Sequence, residues 1–288
     1  MLKTLRNAWH IPELRKKLIF TILIMLLYRI GNVIPVPYVN VDVLSAYFNS
    51  TLSNTILGLY DAMSGSAFSS ATILALSIQP YINSSIIIQL LTIAIPALER
   101  LSKEGGEEGK KKINMITRFT TVGLGLLMGW AYFMMLKNAG GIITDNSFVA
   151  AVVIIMTFTA GSTAVMWLGE QITEHGIGNG ISMILFANIV SRLPSMLSTM
   201  IGMATAKQWW QIPVVVVGMA ALIVLIVFVN DAERRIPVQY AKRVVGRKVY
   251  GGQSTNLPIK VSMTGVMPVI FAQSIVSLPA TICAFGGW

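Results

Sequence analysis

Between Ser64 and Pro96 the chain reads SGSAFSSATILALSIQPYINSSIIIQLLTIAIP, a polar opening of small residues followed by an almost wholly apolar run. The apolar part has the length of a membrane crossing, for which about 20 residues are needed. It nevertheless contains Pro80 and the trio Asn83, Ser84 and Ser85. Proline removes a backbone hydrogen bond and kinks a helix, and an amide facing hydrocarbon costs free energy. Both are tolerated where neighbouring helices or a wet cavity supply partners. Ile78, Ile82 and Ile86 recur every four residues and share one helix face, with Asn83 and Gln89 on others. The expectation is a kinked crossing helix, Ala71 to Ile95, that borders protein or water. The preceding piece, Thr55 to Ser70, carries Asp61 and Gly65 and is too polar and too short to cross. It reads as a short amphipathic element on the outer side, joined directly to the span. A pore with an internal stopper has this form, as does a surface re-entrant loop followed by an ordinary kinked helix.

Composition places the whole chain in the membrane. Of 288 residues 54% are hydrophobic and 12% charged, against roughly 25% charged in soluble domains. Apolar runs of spanning length recur along the chain, so a helical bundle is expected, with every backbone polar group paired inside its own segment. The alternation of a membrane β-barrel is absent. The single cysteine, Cys283, cannot form an internal disulfide. The N-terminus MLKTLRNAWHIPELRKK reads as an amphipathic basic lead-in and not as a cleavable signal.

Seven spans are expected, at about Leu18 to Pro37, Ala71 to Ile95, Ile116 to Leu136, Phe148 to Leu168, Ile181 to Ser195, Ile212 to Val229 and Thr264 to Phe285. Basic clusters precede the first span, follow the second and fill the loop between the sixth and seventh, and an excess of Lys and Arg marks cytoplasmic loops. Two basic loops on one side require an even number of crossings between them. The fifth span is therefore retained although Arg192 and Pro194 interrupt it. The loop from Asp231 to Lys260 is far longer than the 2 to 8 residues that join bundle neighbours. It is a topology signal that meets anionic lipid, or an electrostatic dock for a polyanion such as RNA.

Other signals carry less. Glu170, Glu174 and His175 lack the spacing of a zinc site, and Gly176, Gly178 and Gly180 form no dinucleotide fingerprint. HExxH and GxSxG do not occur, which removes the usual cues for zinc proteases and serine hydrolases. Asn49, Ser50 and Thr51 form a glycosylation sequon that has meaning only in a eukaryotic secretory setting. Trp209 and Trp210 fit an interfacial belt, and Arg29 is expected to snorkel to the headgroups.

Six stretches resemble one family. RIGNVIPVP (29–37), PYINSSIIIQLL (80–91), MWLGEQITEHGIGNGIS (166–182), RRIPVQYAKR (234–243), GGQSTNLPIK (251–260) and GVMPVIFAQSI (265–275) look like, and occur in the order of, the SecY/Sec61-alpha family of protein-conducting channels. The resemblance implies an all-α polytopic bundle of inverted repeats with ten helices, about seven of them present here. It implies an N-terminal half at 1–206, with a plug at 55–70, and the start of a C-terminal half at 207–288, with the long basic loop at 231–260. Carried over, the pore ring falls on Ile78, Ile82, Leu185 and Ile270, with Leu185 standing where isoleucine is more usual. The plug falls on Leu57, Tyr60, Met63, Ser64, Gly65, Ser66 and Ala67, with Ser66 in place of a common glycine. The lateral gate falls on Asn83, Ile86, Gln89 and Gln273. The loop that meets the ribosome or motor carries Arg234, Arg235, Lys242, Arg243, Arg247 and Lys248.

By the same resemblance the chain is a passive conduit, without catalytic residues, cofactor or metal. The resemblance implies that it translocates secretory proteins across the bacterial plasma membrane and releases membrane proteins laterally into it. The implied partners are the SecE and SecG subunits, the SecA ATPase motor, ribosomal RNA, signal sequences and nascent chains, and anionic phospholipids, with the N-terminus cytoplasmic. The competing reading is a secondary transporter, which also uses broken helices and inverted repeats. Such a transporter needs polar or charged groups at mid-membrane, and the spans hold almost no acidic residues.

Overall fold

Pro80 opens a helix and does not bend one. The computed structural model describes residues 10–52, 56–205, 210–238, 243–245, 248–250 and 255–261, with Ala272 and Val276. In it the apolar stretch from Ala71 to Ile78 is a series of turns, and the helix runs only over Gln79–Ala94 with Pro80 in its first turn. A first-turn proline loses nothing, because that N–H has no intrahelical partner in any case. The expected kink inside a helix from Ala71 to Ile95 is thus corrected to a helix start, and the short outer element is separated from that helix by residues 65–78.

The described helices are α1 (Pro12–Gly31), α2 (Val41–Tyr47), α3 (Ile56–Ser64), α4 (Gln79–Ala94), α5 (Pro96–Lys103), α6 (Gly106–Asn138), α7 (Phe148–His175), α8 (Gly180–Val190), α9 (Leu193–Thr205) and α10 (Gln211–Asp231). A π-helical turn, Phe48–Leu52, follows α2. Asn40, Ser147 and Asn179 cap α2, α7 and α8 by accepting hydrogen bonds from the first free backbone N–H groups. Among the described residues four helices are long and apolar enough to cross a membrane: Gly106–Asn138, Phe148–His175, Gly180–Gly202 and Ile212–Asp231. The pair α4 and α5, bent by 102°, makes a fifth if the two count as one span. These lie where the second to sixth spans are expected, and α1 covers the expected first span from a start six residues earlier, ending at Gly31 and not at Pro37. The expected seventh span lies outside the described residues, apart from Ala272 and Val276.

The chain divides into two compact units, Met1–Pro194 with Ser274–Trp288, and Ser195–Gln273. In the first, α7 is central and packs against α1, α6 and α8, while α4 packs against α6. Helix α1 buries Thr21, Ile24 and Tyr28 on one face and exposes Leu23, Leu26 and Leu27 on the other, the division expected of a helix with protein on one side and lipid on the other. An apolar core cluster joins Val36, Leu44, Phe48, Phe68, Ala71, Leu76, Tyr132, Leu136, Ile142, Ile154 and Phe158. Tyr132 stands at its centre, with ring centroids 4.5 Å from Phe68 and 4.8 Å from Phe158. Its hydroxyl donates to the Phe68 carbonyl.

Non-helical backbone at membrane depth survives only where its polar groups find partners. Here residues 71–73 pair with 34–36: Val36 N–H donates to the Ala71 carbonyl and Ile73 N–H to the Ile34 carbonyl, each at 3.0 Å. Gly161 lets this stretch lie directly on α7, since a Cβ there would fall 1.9 Å from the Ile73 carbonyl oxygen.

In the second unit, α10 exposes apolar side chains around almost its whole circumference, Val214, Leu222, Ile223 and Phe228 among them. The long basic loop that follows forms antiparallel ladders. Strand β1 (Glu233–Val238) pairs with β4 (Thr255–Lys260), and β2 (Arg243–Val245) with β3 (Lys248–Tyr250). Pro237 and Pro258 sit in β1 and β4, which a two-stranded ribbon with open edges accommodates because an edge position needs no donor.

Candidate constriction and plug seat

The isoleucine row is buried as a unit. Ile78, at the N-cap of α4, is 1% exposed, and Ile82 and Ile86 are buried behind it. Ile78 Cδ1 and Ile184 Cδ1 lie 3.7 and 3.5 Å from the position that a Cβ on Gly169 would take, so α4, α7 and α8 converge on one apolar point. On α8 it is Ile184 that is fully buried, while Leu185 is half-buried. Ile270 lies outside the described residues.

The short element α3 and the turns after it form one folded segment organised by Asp61. The Asp61 carbonyl accepts from Ser64 Oγ and from Ser66 N–H, each at 3.0 Å, and its carboxylate accepts from Ser69 N–H at 2.8 Å. Ser64 Oγ in turn accepts from Phe68 N–H at 3.0 Å. Gly65 and Ser66 both have φ of +69°, a left-handed conformation in which glycine is at no disadvantage and serine is strained. Ser64 and Ala67 are buried, Ser66 is exposed, and Leu57, Tyr60 and Met63 are half-buried.

The segment rests in a polar cradle built by α1 and α8. Asn188 Nδ2 donates to the Met63 carbonyl at 2.7 Å, Asn32 Nδ2 to the Ser64 carbonyl at 3.4 Å, and Arg29 Nη1 to the Gly65 carbonyl at 3.4 Å. Asn188 also reaches Ser77 Oγ at 3.3 Å, which meets the Tyr28 hydroxyl at 3.1 Å. Arg192, just past α8, forms an ion pair with the Asp61 carboxylate. Arg29, expected to snorkel to the headgroups, is therefore turned inward to a backbone carbonyl. Gln79 Nε2 lies 3.3 Å from Met63 Sδ and ties the start of α4 to the same segment.

Of the expected gate positions, Asn83 and Ile86 are buried and Gln89 is exposed. Asn83 Nδ2 lies 4.0 Å from Met128 Sδ on α6, and the neighbouring Ser84 Oγ donates to the Thr117 carbonyl at 2.8 Å. Gln273 is outside the described residues. In the basic loop, Arg234 and Arg235 are exposed on β1, with Ile259 and Pro258 as their register partners. Arg243 pairs in register with Tyr250, and Lys248 with Val245. Lys242 and Arg247 lie outside the described residues. Glu170, considered above as a metal ligand, accepts instead from Arg118 Nε at 2.9 Å.

Reading the sequence alone missed Asn32, Asn188 and Arg192 as site residues and gave Asp61 no role. The usable signal was there: Asp61 and Arg192 are opposite charges in stretches otherwise almost free of charge, and an ionisable group at such depth implies a partner.

A re-entrant segment seated beside an apolar convergence of broken helices is the architecture of a protein-conducting channel. By fold, the chain resembles a solved structure described as a protein conducting channel, with a TM-score of 0.63 and 18% identity, covering 94% of this chain and 58% of that one. It also resembles Sec61 in the canine ribosome-channel complex from the endoplasmic reticulum, with a TM-score of 0.60 and 17% identity. A family model described as SecY matches residues 72–287. The protein translocase subunit SecY of Streptomyces scabiei is 43% identical over 298 residues, covering all of this chain and 68% of that one. That of Bacillus licheniformis is 39% identical over 297 residues. The chain belongs to the SecY family, as a multi-pass membrane protein that spans about two thirds of the length of these curated relatives.

Proposed function

We propose that the chain supplies the N-terminal and central part of a passive conduit through which unfolded polypeptides cross a bacterial plasma membrane and leave sideways into lipid. The observation that carries this reading is the burial of Ile78, Ile82 and Ile86 along α4, whose first residue, Gln79, meets Met63 of the folded segment 56–70, a segment that Asn188, Asn32 and Arg29 hold by its backbone. Apolar side chains at a narrow point resist ion flow by dewetting, and a small polar segment seated against them closes what remains. Ile78, Ile82 and Leu185, with Ile270, form the constriction, and Leu57 to Ala67 form the plug. Asn83, Ile86, Gln89 and Gln273 border the lateral exit. No step requires chemistry by a side chain. The driving force comes from a ribosome or a SecA-type motor docked on the cytoplasmic ribbon, where Arg234 and Arg235 are exposed, and the assembly includes SecE and SecG subunits. The N-terminus and the ribbon lie on the cytoplasmic side, next to anionic phospholipid.

The test is site-specific crosslinking from a photoreactive residue at Ile82 to a stalled secretory chain, in membranes that carry the complete complex. Adducts that require a translocating chain support the conduit. Their absence from a complex shown to be active would move Ile82 to a packing face and return the transporter reading.

A further inference from the structure

The cradle around residues 61–69 contains two kinds of contact. Asn188, Asn32 and Arg29 donate to backbone carbonyls, and two of those bonds, at 3.4 Å, are beyond the usual hydrogen-bond optimum and correspondingly weak. They hold any sequence that adopts this backbone path. The Asp61 side chain is different. It is 8% exposed, accepts from Ser69 N–H inside its own segment, and meets Arg192 from outside it. One carboxylate thus fixes the internal turn and its attachment together.

We propose that Asp61 and Arg192 form a latch that sets how readily the segment leaves its seat, and so how strongly an entering chain must compete to open the channel. The inference rests on the reading of residues 56–70 as the plug. Three features support it. Arg192 follows the C-cap of α8, where the last carbonyls of the helix favour a cation, so the cation belongs to α8 whether or not the segment is seated. The carboxylate arrives only with the segment. The stretch 65–77 also holds Ser66, Ala71 and Ser77 at positive φ, and such strain persists only where surrounding contacts over-determine it. Without the latch, the seated state loses part of what enforces that backbone.

Charge makes the latch asymmetric. Arg29 and Arg192 both reach the segment 61–65, which contains one carboxylate. Asp61→Asn removes the one carboxylate of segment 61–65 and leaves both guanidinium groups at the seat. Arg192→Gln leaves one cation and one anion. Asp61 and Arg192 are therefore positioning residues of unequal weight, and loss of the carboxylate is the more damaging change.

The experiment measures resting ion leak, and export of a substrate with a crippled signal segment, in complete complexes carrying Asp61→Asn, Arg192→Gln, both together, Arg192→Lys, and Ile82→Gly. Leak is expected to rise by about tenfold in Asp61→Asn, less than for a pair buried on both sides, since Asp61 is buried while the Arg192 side chain is 31% exposed. It should rise less in Arg192→Gln, and the double variant should not reach the product of the two. Arg192→Lys keeps the charge and should stay near the unsubstituted channel, and export of the crippled substrate should follow the leak. If the single variants fail to assemble, the exchange Asp61→Arg with Arg192→Asp decides: recovered assembly with low leak supports the pair, and failure to recover overturns it. Unchanged leak in the Asp61 and Arg192 variants, with raised leak in Ile82→Gly, overturns the latch and leaves the channel reading intact. Multiplicative single effects overturn the latch as well. No rise in any variant, Ile82→Gly included, overturns both.

Discussion

Gly65→Ala tests the seat through geometry and not through charge. Two contributions can be worked out separately. At φ +69° an alanine pays the left-handed penalty of roughly 1–2 kcal/mol that glycine escapes. Its Cβ would also lie 3.0 Å from Ser191 Oγ, 3.1 Å from Arg29 Nη1 and 3.1 Å from Asn188 Oδ1. The serine and arginine can rotate away, but Asn188 is fully buried and its Nδ2 is committed to the Met63 carbonyl. Relief therefore lengthens that bond or shifts the segment, and overpacking of this kind costs about 1–3 kcal/mol. The sum, about 2–5 kcal/mol, applies to the seated state only, because an unseated segment is free to change φ. At 1.4 kcal/mol per factor of ten, the unseated fraction rises about thirtyfold or more. Resting conductance of the complete complex in a planar bilayer reads this directly. Ser66→Gly separates the two contributions: the same backbone conformation is relieved with no new atom, so it should favour seating by about 1 kcal/mol or less. A Gly65→Ala channel that assembles normally and leaks no more than the original would refute the cradle as the site where the segment rests.

Tyr132→Phe leaves the Phe68 carbonyl without its donor in a buried cluster. It should destabilise the assembled protein by about 1–3 kcal/mol, seen as a lower midpoint in thermal unfolding in detergent, with an unchanged midpoint counting against that hydrogen bond. Reversing Arg234 and Arg235 to glutamate should weaken ribosome or motor binding in co-sedimentation and flatten its salt dependence, while membrane insertion of the chain proceeds. A loss of insertion with binding intact would make the ribbon a topology signal alone.

Much of the fold was legible because hydropathy and caps are local. Phe148 begins α7 where the apolar run begins, and Asn179 caps α8 two residues before the expected fifth span at Ile181. What hydropathy cannot distinguish is an apolar helix from apolar turns. Residues 71–78 are as hydrophobic as the helix after them, and only their pairing with 34–36 and the bare surface of Gly161 explain the non-helical path. Pro80 was ambiguous for a related reason, since proline interrupts a helix in its middle and suits one at its start. The ribbon at 233–260 was obscured by two prolines inside its strands. The isoleucine row was visible from a four-residue repeat, whereas the cradle joins Asn32, Asp61, Asn188 and Arg192 across more than a hundred residues. No local pattern announces such a meeting.

The pairing of residues 71–73 with 34–36 also determines what becomes of the segment once it has left its seat. From the anchored Ala71 back to Gly65 is six residues, a tether that reaches at most about 20 Å when fully extended. If the segment is the plug proposed above, a stopper so leashed cannot diffuse away, and its return is a unimolecular search at an effective concentration in the millimolar range. Resealing is then set by the local chain and is independent of how many channels the membrane contains. Each passage ends with the same piece of polypeptide a few residues from where it began.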